Sequence, residues 1–228
     1  MTEIIAYLRD ALKDFFFPNS CVVCGGGAPD DIPLCPACRK EFEDCTDAYP
    51  TPERKLTAID NIVVLLPYDA KCRTAIHALK YHGLHTLCPY FGTLLGHKTM
   101  TAYGSVDKAT VIPVPLHPAR LRERGYNQSA LIAHGFAQTT GASCEDNILR
   151  RTVKTTTQTA LGEDERRMNV QNAFTCIDYA SINGDHYVLT DDVLTTGSTL
   201  GACAELLKKC GAEQVTAAVI ATPHPGEE

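Results

Sequence analysis

Residues 187–200 read YVLTDDVLTTGSTL, and the order of residue types in this stretch decides how the rest of the chain is read. Apolar and β-favouring residues come first, then Asp191 and Asp192, then a hydroxyl-rich segment around Gly197, and then a helical pattern. That is the layout of a strand, a phosphate-cradling loop and a helix N-terminus, with a carboxylate pair at the strand's end. Ionised carboxylates only accept, so the pair suits the two hydroxyl protons of a ribose diol. If the strand persists through the acids their side chains alternate, one toward the sugar and the other toward a metal or a lysine. Thr195, Thr196, Gly197, Ser198 and Thr199 supply hydroxyl and backbone donors, and the helix adds its positive dipole end. The stretch is read as a cradle for a ribose 5-phosphate group. No G-x-x-x-x-G-K-[ST] run occurs, so a P-loop is excluded as a motif. The plainer alternative is a capped helix after a turn, with solvated acids.

Working outward, strands and helices alternate. Residues 215–221 form a last strand behind a helix over 200–210 that Gly211 caps. Upstream, 59–68 reads as a strand into a turn, 71–83 as a short basic helix ending at Gly83, and 87–100 as another helix. A buried strand over 110–114 precedes a loop carrying Pro113, Pro115 and Pro118, and a helix starts near Asn127. Residues 147–172 are polar and poorly periodic, the profile of a long loop that closes over a site. This alternation predicts an α/β fold with a mainly parallel sheet flanked by helices. Sites in such folds gather at the carboxyl ends of the strands. Three loops, 115–127, 150–167 and 191–199, are expected to meet there.

The N-terminal part has a different character. Ile4, Ile5, Leu8, Leu12, Phe15 and Phe16 recur at helical spacing until Pro18, an amphipathic helix with too few bases on its polar face to favour lipid. Cys21 and Cys24 then form one C-x2-C pair, and Cys35 and Cys38 form another after ten intervening residues. Two such turns complete a tetrahedral site, and zinc is the default ion for four thiolates. Pro36 falls inside the second knuckle, where no helix or strand is needed, and residues 44–55 read as a linker. The expected division is residues 1–50 for the N-terminal helix and zinc module and 51–228 for the α/β domain.

Composition narrows the partners. The net charge is −6 and the isoelectric point is near 5.7, which argues against a dedicated binder of duplex DNA. No run approaches the roughly 18 apolar residues of a membrane span. The first residues lack the basic start and uninterrupted apolar core of a secretory signal. Eleven cysteines, an odd number, suit a reducing, cytoplasmic setting unless metal-bound.

Five blocks carry a family resemblance: the cysteine knot, LKYHG, IPVPLHPARLRERGYNQSALIA, QTALGEDERRMNVQNAF and LTDDVLTTGSTL. The last resembles the phosphoribosyl-diphosphate (PRPP) signature of type I phosphoribosyltransferases. In this order the blocks resemble the ComF family over nearly the whole chain. The resemblance implies a small four-cysteine zinc module joined to a type I phosphoribosyltransferase-like domain. It implies that Asp191 and Asp192 contact the ribose hydroxyls and that Thr195, Thr196, Gly197, Ser198 and Thr199 hold the 5-phosphate. His117, Arg120, Arg122 and Arg124 would take the diphosphate, and guanidinium forks suit that ligand. Arg150, Arg151, Arg166 and Arg167 would belong to a closing lid, and Mg²⁺ would bridge diphosphate and sugar oxygens. The implied role is support of single-stranded DNA uptake or processing in natural transformation, alongside competence-machinery proteins. No residue stands out as a general base. A phosphoribosyltransferase with an unknown acceptor and a non-catalytic PRPP or nucleotide sensor therefore both stay open.

Overall fold

The computed structural model describes residues 20–50, 55–153, 173–177, 182 and 185–223. Its centre is a five-stranded sheet in the order β1-β7-β6-β2-β3, parallel throughout. The strands are β1 (Asn61–Pro67), β2 (Thr110–Pro113), β3 (Ser143–Cys144), β6 (His186–Val193) and β7 (Gln214–Thr222). Between β3 and β6 in sequence, β4 (Leu149–Arg151) and β5 (Phe174–Cys176) form a separate antiparallel pair. The long strands are apolar runs rather than alternations because both faces of the sheet are covered. Val63, Leu65, Val111 and Val188 face one core, and Ile62, Val64, Ile112 and Leu189 face the other.

The first core packs beneath α1 (Pro36–Ala48), α2 (Ala70–Tyr81), α3 (Leu87–Tyr103) and α5 (Gln128–Thr140). The second lies under α6 (Ser198–Lys209) and the β4–β5 pair. Helices α3 and α5 approach so closely that side chains at their crossing are excluded. A Cβ on Gly92 would stand 2.3 Å from the Ile132 carbonyl oxygen, and one on Gly135 would stand 2.5 Å from that of Pro89. This contact fixes α5, whose N-terminus reaches the carboxyl end of the sheet.

Three expectations are corrected. The second cysteine knuckle is itself a helix start: Cys35 caps α1 by accepting from the Cys38 amide, and Pro36 occupies the first turn. Proline is tolerated there because that N–H has no helical partner. Residues 44–48 therefore continue a helix, and the linker begins later. The loop after β2 contains the short helix α4 (Pro118–Arg124), again with proline at its start and His117 as its cap. Residues 149–151, expected within an irregular excursion, form β4 and pair with β5 through Leu149↔Cys176 and Arg151↔Phe174. The ladder supplies an order that periodicity over three residues does not reveal.

The cysteine segment is tied to the sheet by Lys98. Its ammonium donates to the carbonyls of Thr46 at 2.9 Å, Tyr49 at 2.6 Å and Leu65 at 3.4 Å. Two of these close the end of α1, where carbonyls lack helical donors. Burial lowers the Lys98 pKa to about 8, so part of the gain is offset by desolvation. Lys98→Met is expected to lower stability by about 2 kcal/mol, given about 1.5–3 kcal/mol for bonds to a charged group. Chemical denaturation of both proteins measures the difference.

Candidate functional site

β6 runs two residues beyond the acids' start, through Val193, so both carboxylates stand on ordered strand rather than on loop. Asp191 Oδ1 accepts from the Ser129 hydroxyl at 2.9 Å and from the Asp192 amide at 2.9 Å. Asp192 is buried; its Oδ1 pairs with Lys80 Nζ at 2.8 Å and its Oδ2 accepts from Gln128 Nε2 at 2.9 Å. Burial and the adjoining Asp192 charge push the Asp191 carboxyl up to about 7, while the Asp192 amide, Ser129 and Lys80 oppose that rise. Two adjacent acids in so little water share the cost of their charge unequally.

The partners of these acids come from far along the chain. Gln128 and Ser129 open α5, and Asn127 holds that end by accepting from the Ser129 amide at 3.1 Å and donating to the Val114 carbonyl at 3.1 Å. Lys80 ends α2, and the Tyr126 hydroxyl fastens that end by donating to the Leu79 carbonyl. Lys80, Gln128 and Ser129 were not among the assigned site residues. The sequence did carry a signal, a run of polar residues (Asn127, Gln128, Ser129) directly before an apolar helix.

After β6 the chain turns through Thr195 and Thr196, both exposed, and enters α6 at Gly197. Gly197 has φ of 81°, and a Cβ there would stand 2.6 Å from Leu56 Cδ2. The positive φ is the stronger reason for glycine, since a leucine tip can yield. Thr196 Oγ1 lies 2.9 Å from Ser198 Oγ and accepts weakly from the Ser198 amide at 3.4 Å, and the cap residue Gly197 has no side chain to satisfy the other first amides of α6. Loop hydroxyls thus stand at the amides and dipole end of α6, which is the donor set an anion requires.

β2 and β6 are neighbours, with Pro113 opposite Thr190. The turn after β2 therefore lies beside the turn after β6. It delivers His117 at the head of α4, the exposed Arg120 and Arg122, and Arg124, whose Nη1 donates to Gln128 Oε1. A continuous polar line runs from Arg124 through Gln128 and Asp192 to Lys80. Arg151 on β4 stacks on the Phe174 ring at 5.3 Å. Burial chiefly, then the Arg120 charge, lowers its pKa, while Asp191 acts against this; Arg151 thus stands within electrostatic reach of both. Arg150 is exposed on the same strand. Arg166 and Arg167 lie outside the described residues.

On the rim above Lys80, Tyr81 is 64% exposed. The Arg124 guanidinium lies 5.5 Å from its ring centre and the His77 ring 4.8 Å away. His85 and Tyr126 form a second pair at 5.8 Å. Cationic and aromatic faces together suit a stacked base next to a phosphate.

In the N-terminal segment, Cys21, Cys24, Cys35 and Cys38 place their sulfurs within 4.8 Å of one another, with Cys24 and Cys35 at 3.5 Å. Thiolates around a tetrahedral zinc are about 3.8 Å apart, so the donor set and spacing fit the ion. Burial works against ionisation of Cys21, yet the backbone N–H groups of Cys35, Cys24 and Val23 bring its thiol down to about 6. No open ligand position is left at four sulfurs, so a metal here would be structural. Among the described residues no helix is long and apolar enough to cross a membrane.

The phosphoribosyl transferase domain family matches residues 149–228. The DNA utilization protein YhgH of Escherichia coli is 30% identical over 205 residues, 86% of either chain. Competence protein F of Haemophilus influenzae is 40% identical over 108 residues, 46% of either chain. Among solved structures, the allosteric regulatory enzyme of purine biosynthesis aligns at 19% identity with a TM-score of 0.41, over 60% of this chain and 26% of that one.

Proposed function

The chain belongs to the ComF family and carries a phosphoribosyltransferase-like domain, and from that premise we propose that it binds PRPP or a related ribose 5-phosphate ligand in the service of single-stranded DNA uptake or processing during natural transformation. One observation carries the ligand: a strand-end carboxylate pair set beside a hydroxyl-rich turn and a glycine-capped helix N-terminus. Asp191 and Asp192 keep lone pairs beyond those used by Ser129, Gln128 and Lys80, and accept the ribose hydroxyls there. Thr195, Thr196, Gly197, Ser198 and Thr199 hold the 5-phosphate. His117, Arg120, Arg122 and Arg124 receive the diphosphate, while Arg150 and Arg151 stand on the ordered β4 strand rather than on a moving loop, and the lid role proposed for Arg166 and Arg167 falls outside the described residues. The carboxylate and hydroxyl oxygens of this crevice are donors of the kind Mg²⁺ accepts; the ion would neutralise diphosphate charge. The four cysteines hold structural zinc, and the seven others, all outside disulfides, suit a cytoplasmic location.

The rim of Tyr81, His77 and Arg124 supports the nucleic-acid half of this reading, since base stacking and phosphate pairing both tolerate any sequence. Binding of an oligonucleotide is expected to be weak and to fall steeply with salt, because the whole chain is acidic. A second reading is a phosphoribosyltransferase proper. The acid pair is engaged by Ser129, Gln128 and Lys80 and the Nδ1 of His117 is taken up in capping α4, so none of these is a ready base for an incoming nucleophile. This favours binding over turnover. Titrating single-stranded DNA across salt, and assaying diphosphate release from PRPP with candidate acceptors, separates the two. Salt-dependent DNA binding without release upholds the first reading; release with a base and no DNA binding replaces it with the second. PRPP binding with neither leaves a sensor and ends the DNA role.

A further inference from the structure

A second group of metal-binding side chains lies away from both the crevice and the four cysteines. His134 on α5, Cys144 at the end of β3 and Asp146 just past it bring an imidazole nitrogen, a sulfur and a carboxylate oxygen within 4.8 Å of one another. His134 Nε2 lies 3.0 Å from Asp146 Oδ2, and the Cys144 thiol donates to Asp146 Oδ1 at 3.6 Å. We propose that His134, Cys144 and Asp146 form a second divalent-cation site of zinc-like preference, with water in the fourth position.

The donor set makes this argument. Nitrogen, sulfur and oxygen together suit a borderline-soft ion and not Mg²⁺ or Ca²⁺. A tetrahedral zinc sets such ligand atoms about 3.3–3.6 Å apart, whereas here His134 and Cys144 meet different oxygens of Asp146 and the three ligand atoms lie within 4.8 Å of one another. The ion therefore replaces the two hydrogen bonds after the side chains draw together by up to about 1 Å. Position is fixed by backbone on both sides. Val111 lies opposite Cys144 in the parallel ladder, and the Glu145 amide donates to the Val111 carbonyl at 2.9 Å. The α3–α5 crossing locks the helix that carries His134.

Access and charge agree with a solvent-facing site. The side chains of His134 and Asp146 are 54% and 41% exposed, so an ion reaches them directly and water completes its shell. Glu145, also exposed, adds negative charge beside them. The site is separate from the crevice: His134 lies six residues beyond Gln128, about 9 Å along the axis of α5 and turned about 240° around it. Three protein ligands bind more weakly than the four cysteines, so occupancy depends on added zinc.

The full chain dialysed against micromolar zinc, then analysed for metal, is expected to hold about two ions, and about one after dialysis against metal-free buffer. Cys144→Ser and His134→Gln each bring the zinc-loaded value down to about one, with the cysteine site retained as proof of folding. Co²⁺ gives an independent readout. The second equivalent adds a thiolate-to-cobalt charge-transfer band in the parent protein and none in Cys144→Ser. Saturation of the parent at one zinc, or two ions retained by both variants, overturns the proposal.

Discussion

PRPP with Mg²⁺ is expected to raise the melting temperature by about 5–10 °C at a hundredfold excess over its dissociation constant. Binding to the folded state alone contributes about 2.7 kcal/mol at that excess, and a chain of this size shifts by about 2–4 °C per kcal/mol. Asp191→Asn combined with Asp192→Asn is expected to abolish the shift. An amide is nearly the size of a carboxylate but is neutral and donates on one side, so the diol loses both of its carboxylate acceptors. The double variant also leaves Lys80, only 23% exposed, without its anion, and its starting stability falls. Asp191→Asn alone avoids that loss, because Asp191 meets a hydroxyl and an amide rather than the lysine. A ligand shift that persists in both variants removes the acids from the site; the absence of any shift in the parent removes the ligand.

The legible part of this protein is what local chemistry dictates. The strand, turn and helix of residues 186–209 were readable because β-favouring residues, a glycine that needs positive φ and an apolar helical period follow one another without conflict. The parallel sheet followed from the alternation of elements. Short elements were less legible for a reason that repeats. Pro36 and Pro118 suggested irregular chain, yet each begins a helix behind a residue that caps it, Cys35 and His117. Proline ends helices far more visibly than it starts them, and a seven-residue helix such as α4 has too few turns to show a period. β4 is three residues long and owes its existence to β5.

The candidate site was half legible by the same logic. Asp191, Asp192 and the hydroxyl run are contiguous, so one motif contains them. Gln128 and Ser129 meet those acids across separations of 64 and 62 residues, and Lys80 arrives from another helix. Such contacts are decided by the sheet order and by the glycine crossing of α3 and α5, which no local window contains. Their effect on the acids is large. Asp192 is held by Lys80 and Gln128, while burial first, and the adjoining Asp192 charge second, raise the Asp191 carboxyl. The pair therefore presents one acceptor already engaged by a lysine and an amide, and one that a cation or a hydroxyl ligand must complete.

The cysteine cluster carries the other large expected effect. Protein purified and dialysed against metal-free buffer is expected to retain about one zinc per chain, and Cys35→Ser to retain close to none. Structural zinc contributes about 10–16 kcal/mol to isolated finger peptides. Here Leu34, Cys38 and Phe42 already pack on the core of the sheet, where Phe42 meets Phe91 edge-on at 5.6 Å, so part of the segment's order is independent of the ion. Even a third of the peptide value, about 4 kcal/mol, lowers the melting temperature by about 8–16 °C. Cys35 also caps α1, and loss of a cap alone costs about 1 kcal/mol. Cys24→Ser separates the two contributions, since Cys24 is exposed and caps nothing. It is expected to lose the zinc and most of the stability that Cys35→Ser loses, the remainder being the cap. A Cys24→Ser protein that keeps the melting temperature of its parent while losing its metal would show that packing against the sheet, and not the ion, holds this segment.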